Sequence, residues 1–123
     1  MRTRALRVSA MYRLPQKLAA EFIGTFAIVF ISAGSLCADQ FLKAADQSGV
    51  GVLGIALAYG LAVGVVVLAI AHISGGHVNP AVTIGFWVTK KMGTFTALLY
   101  WLAQLVGAIA AAYSLTVILP EDA

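Results

Sequence analysis

The sequence predicts an all-α membrane protein with three transmembrane helices and one re-entrant half-helix. Its 123 residues are 61% hydrophobic and 11% charged, with a mean hydropathy of +0.94. Soluble domains carry about 25% charged residues, and a soluble fold of this size has too little interior to hide so much apolar surface. A second observation is that no Asp, Glu, Lys or Arg lies between Asp46 and Lys90. That stretch is too long for one crossing, and a break containing glycine and proline divides it.

Residues 1–17 form a basic segment with four arginines, Lys17 and no acidic residue. By the positive-inside rule this segment predicts a cytoplasmic N-terminus, and contact with anionic lipids is an alternative use of the same charges. Because the net charge of +3 follows membrane topology, it does not indicate nucleic-acid binding.

Residues 18–38 are predicted to form the first span, since about twenty apolar residues suffice for one crossing. Glu21 lies within it, where an ionisable group is costly unless it is paired or hydrated. Two interpretations are open at this point. Glu21 either turns to the interface and pairs with Lys17, four residues earlier, or turns inward and accepts hydrogen bonds from non-helical backbone. Thr25 lies one turn further along the same face.

Residues 39–49 are predicted to form a short polar outer loop, and residues 50–73 the second span. Gly60 and Gly64 are spaced as a GxxxG pair, which favours close helix packing in general. Tyr59 falls in the outer third of this span, where it is either an interfacial aromatic or a residue that narrows a pore mouth.

Residues 95–119 are predicted to form the third span. Tyr100 and Trp101 lie too deep in it for an interfacial belt, so we expect them to pack inside the protein. Gln104 is placed to hydrogen-bond a neighbouring element. Three crossings from a cytoplasmic N-terminus would put the acidic residues 120–123 outside the cell.

Residues 74–89 are predicted to enter the membrane and return to the side from which they came. Two glycines free the backbone, Asn79 is a favoured N-cap residue, and Pro80 suits the first helical position. The helix that follows has about ten residues and a length of ~15 Å, roughly half of a hydrocarbon core. Non-helical backbone at that depth is tolerated only where protein buries it or where it lines a water-filled cavity.

The break predicts a site for neutral polar solutes that pass in single file. It offers backbone carbonyls, the Asn79 amide and a helix N-terminus of about +0.5 charge, which disfavours cations. His72 and His77 are interpreted as loop hydrogen bonders rather than as a proton relay. Two histidines do not suffice for a metal site, and no nucleophile–base set is readable. We therefore expect no enzyme activity, no metal and no cofactor.

Residues 74–83 read SGGHVNPAVT, which resembles the first signature of the major intrinsic protein family, the aquaporins and glycerol facilitators. Glu21 and Thr25 resemble the first-helix motif of that family, and residues 103–108 resemble its third-helix pattern. The resemblance extends from about residue 17 to residue 119.

The resemblance implies a role for each matched residue. Asn79 would donate to the passing solute, and Tyr59 would form one wall of an outer filter. The carbonyls that would line the pore belong to Gly75, Gly76, His77 and Val78. The residues that would brace the loop, or abut the matching motif of a second half, are Glu21, Thr25, Gln104, Pro80 and Ala81.

The resemblance also implies a second half. The family has six spans in two inverted halves and a second Asn-Pro-Ala loop, whereas this sequence contains one Asn-Pro. We therefore expect the N-terminal half of a passive channel for water or small neutral solutes such as glycerol. Its partners would be the lipid bilayer of the cell membrane and a complementary half or homologous subunits, with a tetramer as the family's assembly. The alternative is a truncated, non-conducting membrane protein that needs a complementary half or a full-length relative.

Overall fold

The computed structural model describes residues 11–119, and these form four helices. In chain order they are α1 (Leu14–Ala44), α2 (Gly51–Ser74), α3 (Pro80–Val88) and α4 (Thr94–Ile118). Three of them, α1, α2 and α4, are long and apolar enough to cross a membrane. No strand occurs among the described residues, so the all-α prediction is confirmed. The predictions for residues 1–10 and for the tail 120–123 fall outside the described part.

The first helix is longer than the predicted span 18–38, and the outer loop is correspondingly shorter than 39–49. The helix continues to Ala44, and its last turns contain an ion pair between Asp39 and Lys43, with 2.7 Å between Oδ2 and Nζ. Pairs at this spacing support a helix. The predicted bounds of the other two spans, 50–73 and 95–119, differ from α2 and α4 by one residue at each end, which is within the usual fraying of helix ends.

The helix α1 lies in the middle of the fold and packs against both α2 and α4, whereas α3 packs against α4. Gly107 lies at a close contact between α1 and α4. A Cβ atom built on it would lie 2.5 Å from the backbone oxygen of Phe22. Small residues at such points let two helices meet backbone to backbone.

The segment that contains the short helix α3 begins and ends at the same end of the bundle. One cleft, the lysine cleft, is lined both by Ser74 at the end of α2 and by Met92 just before α4, together with Lys17 and Lys91. The other end of α3 lies deeper, because Asn79 shares a second cleft with α2 residues that precede Ser74 by about 10–22 Å along the helix axis. With nine residues, α3 spans only about 13 Å. It is therefore a re-entrant half-helix.

The close contact at Gly107 gives a test of the packing. We expect Gly107→Ala to destabilise the protein by about 1–3 kcal/mol, because the new methyl group must displace the backbone of α1. Thermal unfolding of the purified protein in detergent measures this change. Gly60→Ala is the matched control, since a Cβ atom there meets nothing within 4 Å. Equal unfolding temperatures for the two variants would contradict the packing.

Candidate functional site

The loop between α2 and α3 has a strained backbone that the sequence permits. Gly75 and Gly76 adopt φ angles of +99° and +65°, which glycine takes without a steric penalty. Val78 also has a positive φ, +42°, which is unusual for a β-branched residue. Asn79 then returns to extended backbone, and its Oδ1 accepts a hydrogen bond from Ala81 N at 2.8 Å. Asn79 therefore caps α3, as its residue type predicts.

The Glu21 side chain is fully buried beneath this loop. Its carboxylate accepts four hydrogen bonds, from Ser74 Oγ (2.6 Å), His77 N (3.0 Å), Val78 N (2.6 Å) and Gln104 Nε2 (2.8 Å). Every partner is a donor and both oxygens accept, which is the bonding pattern of an ionised carboxylate. Of the two interpretations for Glu21, these contacts agree with the inward one and not with a pair to Lys17.

A second layer of hydrogen bonds ties the loop to α3 and α4. Gln104 Nε2 also donates to Thr83 Oγ1 at 3.1 Å, and the same oxygen lies 3.1 Å from His77 Nδ1. The His77 ring packs against Phe86, with 4.4 Å between ring centroids. Tyr100 donates from its hydroxyl to the Ser74 carbonyl oxygen at 2.7 Å. The imidazole therefore belongs to this buried network, as a loop hydrogen bonder would.

The other side of the loop borders an open cleft of about 170 Å³, the Asn79 cleft. Asn79 is exposed there, and its Nδ2 donates to no protein atom within residues 11–119. Tyr59 is half exposed and lines the same cleft. The loop residues 76–79 supply its polar side, and its apolar wall consists of Ile28, Val63, Val67 and Val82.

The remaining predicted residues lie at the edge of this site. Pro80 and Ala81 are exposed at the start of α3, and the Pro80 carbonyl accepts from Trp101 Nε1 at 3.2 Å. Thr25 is buried, but its hydroxyl has no hydrogen-bond partner among the described residues. Its hydroxyl therefore does not hydrogen-bond the loop, where Glu21 accepts the N–H groups and Gly24 is the residue that faces Val78.

Sequence reasoning missed four residues that shape the site. Ser74, Thr83 and Tyr100 complete the buried network, and Gly24 leaves room for the loop. The available signals were the helical spacings, since Thr83 follows the capping Asn79 by one turn and Tyr100 precedes Gln104 by one turn. Among the described residues there is no group of three or more His, Cys, Asp or Glu side chains that could hold a metal ion.

The chain matches known proteins over nearly its whole length. The family model of the major intrinsic proteins matches residues 8–122. "Aquaporin Z" of Photorhabdus laumondii subsp. laumondii is 45% identical over 103 residues, and "Aquaporin Z" of Brucella melitensis biotype 1 is 48% identical over 103 residues. "Aquaporin PIP2-7" of Musa acuminata is 44% identical over 105 residues.

These alignments cover 83–85% of the chain but only 36–43% of each relative. The chain thus spans less than half the length of the curated relatives that it matches. The re-entrant half-helix, its capping asparagine and the family match lead to one assignment. The chain belongs to the major intrinsic protein family, whose aquaporins are membrane channels and not enzymes.

Proposed function

We propose that this chain forms one half of a passive membrane pore for water or small neutral solutes such as glycerol. The observation that carries the proposal is the Asn79 amide. It caps a half-helix that ends partway through the fold, and it is exposed on a cleft whose other wall is apolar.

The chemistry of the Asn79 cleft suits uncharged hydrogen-bonding solutes. Nδ2 of Asn79 is a donor, and the carbonyls of residues 76–78 are the acceptors beside it. The apolar wall offers no competing partner, so a solute would exchange hydrogen bonds along one line. The N-terminus of α3 adds about +0.5 charge at the same point, which opposes the passage of cations. Conduction would be downhill, and it would need neither a cofactor nor covalent chemistry.

The pore wall would be completed by a second, inverted half, because channel folds of this kind combine repeats related by an axis in the membrane plane. The exposure of Asn79, Pro80 and Ala81 supports this proposal, since they would face the matching motif across the pore. The second half would lie in the same protein or in a partner, and four such pores would form the family's tetramer. Without that half we expect a membrane protein that does not conduct.

Within this pore, Glu21 and Gln104 would act as bracing residues. Their hydrogen bonds satisfy the loop N–H groups that the helices leave unpaired. Tyr59 would form one outer wall, about four turns of α2 before Ser74, where it lines the same cleft as Val63 and Val67.

Reconstitution tests the proposed pore. Residues 1–119 are fused to the part of the Brucella melitensis relative that the alignment does not cover, and vesicle swelling is followed by stopped-flow light scattering. We expect rapid swelling for the fusion in water and no increase for the 123-residue chain alone. Conduction by the chain alone in a single orientation would contradict the need for a second half, and a silent but correctly folded fusion would contradict the pore itself.

Asn79→Asp in the same fusion tests the solute site. A carboxylate at mid-membrane costs about 2.5–3.5 kcal/mol on an insertion scale, so we expect less folded protein. The change also removes the Nδ2 donor, and we expect permeability per folded protein to fall at least about tenfold, as the loss of a hydrogen bond to the solute would give. Gln47→Glu is the matched control, because it makes the same amide-to-acid change on the exposed outer loop. A permeability that falls equally in both variants would rule out a specific role for Asn79.

Glu21→Ala tests the bracing role. It leaves the two loop N–H groups without an acceptor, and each buried unsatisfied group costs about 1–3 kcal/mol. We therefore expect a lower unfolding temperature and faster amide exchange over residues 75–79. Lys17→Ala is the control. If both variants lose the same stability with no change in loop exchange, an interfacial ion pair explains Glu21 instead.

We also propose that the lysine cleft opens to the cytoplasm and that the loop before α2 lies outside. Cysteines introduced at Lys90 and Ser48, in a Cys37→Ser background, are treated with a membrane-impermeant thiol reagent in intact cells and in inverted vesicles. The positive-inside rule predicts labelling of position 48 in cells and of position 90 in inverted vesicles. Labelling of both positions from one side would show that α2 and the half-helix do not have the proposed topology.

A further inference from the structure

Gly24 forms a notch in α1 beneath the loop. A Cβ atom built on it would lie 2.5 Å from Val78 Cγ1, 2.7 Å from Ile70 Cδ1 and 3.0 Å from Val66 Cγ1. The first of these contacts is the decisive one. The Ile70 atom is the end of a flexible chain, whereas a valine has one torsion that is restricted by its branched Cβ. The Val78 side chain is 8% exposed, so most of it is packed against other protein atoms.

Val78 is held from two directions by one helix. Its N–H donates to Glu21 Oε2 at 2.6 Å, and its isopropyl group fills the notch at Gly24, three residues further along α1. Its φ of +42° lies where a non-glycine residue persists only if its surroundings enforce it. The peptide that follows joins Val78 to Asn79, so the notch acts on the last peptide plane before the capping residue.

We propose that Gly24 is a positioning residue of the pore. Its missing side chain seats Val78, and the seated Val78 fixes the peptide that presents its own carbonyl and the Asn79 amide to the Asn79 cleft. The proposal rests on the proposed function, because the orientation of this peptide affects transport only if solutes pass along it. The seating itself is a property of the fold and is measured separately.

The experiment combines Gly24→Ala, Val78→Ala and the double variant. Loop geometry is followed by amide hydrogen exchange of residues 75–79 in the chain alone, and transport is followed by vesicle swelling of the fusion described above. Because an added methyl group forces neighbouring atoms in a packed site to shift, we expect Gly24→Ala to speed loop exchange and lower permeability per folded protein, each about tenfold. The double variant removes the methyl groups that collide, and we expect it to recover to within about threefold of the parent.

Gly34→Ala is the matched control on the same helix, because its new Cβ would meet only the flexible end of Leu115, at 3.3 Å. We expect it to leave both readouts unchanged. If Gly24→Ala does not fold, the loop exchange of Val78→Ala alone tests the seating, because this variant empties the notch without adding a methyl group. An empty notch should speed loop exchange while Glu21 stays in place.

Two results would overturn the inference. One is parental loop exchange in Gly24→Ala or in Val78→Ala, and the other is a double variant no better than Gly24→Ala. Failure of the proposed function has a different signature. The parent fusion would then be silent in swelling, while the exchange differences among the variants would remain.

Discussion

The loop and half-helix depend on one buried carboxylate. Backbone N–H groups that turn away from both water and helix are costly at membrane depth, and the loop presents two of them, at His77 and Val78, beside the Ser74 hydroxyl. Glu21 accepts from all three and from Gln104. Hydrogen bonds to a charged group contribute about 1.5–3 kcal/mol each, so these four contacts favour the burial of the carboxylate beneath the loop. A neutral amide would offer only one acceptor oxygen to the same donors.

A second acidic side chain accepts a backbone hydrogen bond near the other end of α1. Asp39 lies 18 residues after Glu21, a separation of about 27 Å along a helix. Its Oδ1 accepts from the first amide of α2, Gly51 N, at 2.8 Å. Two acids on one helix therefore hold the start and the end of α2. Only 6% of the most apolar stretch of α2 is buried, and α1 is the one described helix packed against it. The hydrogen bonds of the two acids explain how α2 nevertheless keeps its position along α1.

Local rules were enough to predict the helices, the break and the capping role of Asn79, because each depends on neighbouring residues. They were not enough for Glu21, whose loop partners lie 53–57 residues away in the chain. The sequence therefore left its inward and interfacial orientations open. Local rules also placed Asp39 in a loop, because a charge after an apolar run normally ends a span, whereas the structure has it within α1. Thr25 and Gly24 show a third limit. Both lie about one turn from Glu21, and the identity of the one that meets the loop depends on a tertiary contact with Val78.

The exposed faces of the fold differ in what can cover them. The leucines and valines exposed on α2 and α4 are compatible with lipid, but the Asn79 amide and the loop carbonyls are not, because hydrocarbon offers them no partner. Water or protein must therefore lie against the Asn79 cleft. Water alone would leave the solute path along the Asn79 cleft open on one side. An inverted repeat would close that side, and it would bring a second helix N-terminus to the same depth. Two positive helix ends at one point would raise the barrier for cations while leaving neutral solutes their hydrogen bonds. The exposed amide and carbonyl groups at the N-terminus of the half-helix are thus the physical basis of the proposed second half.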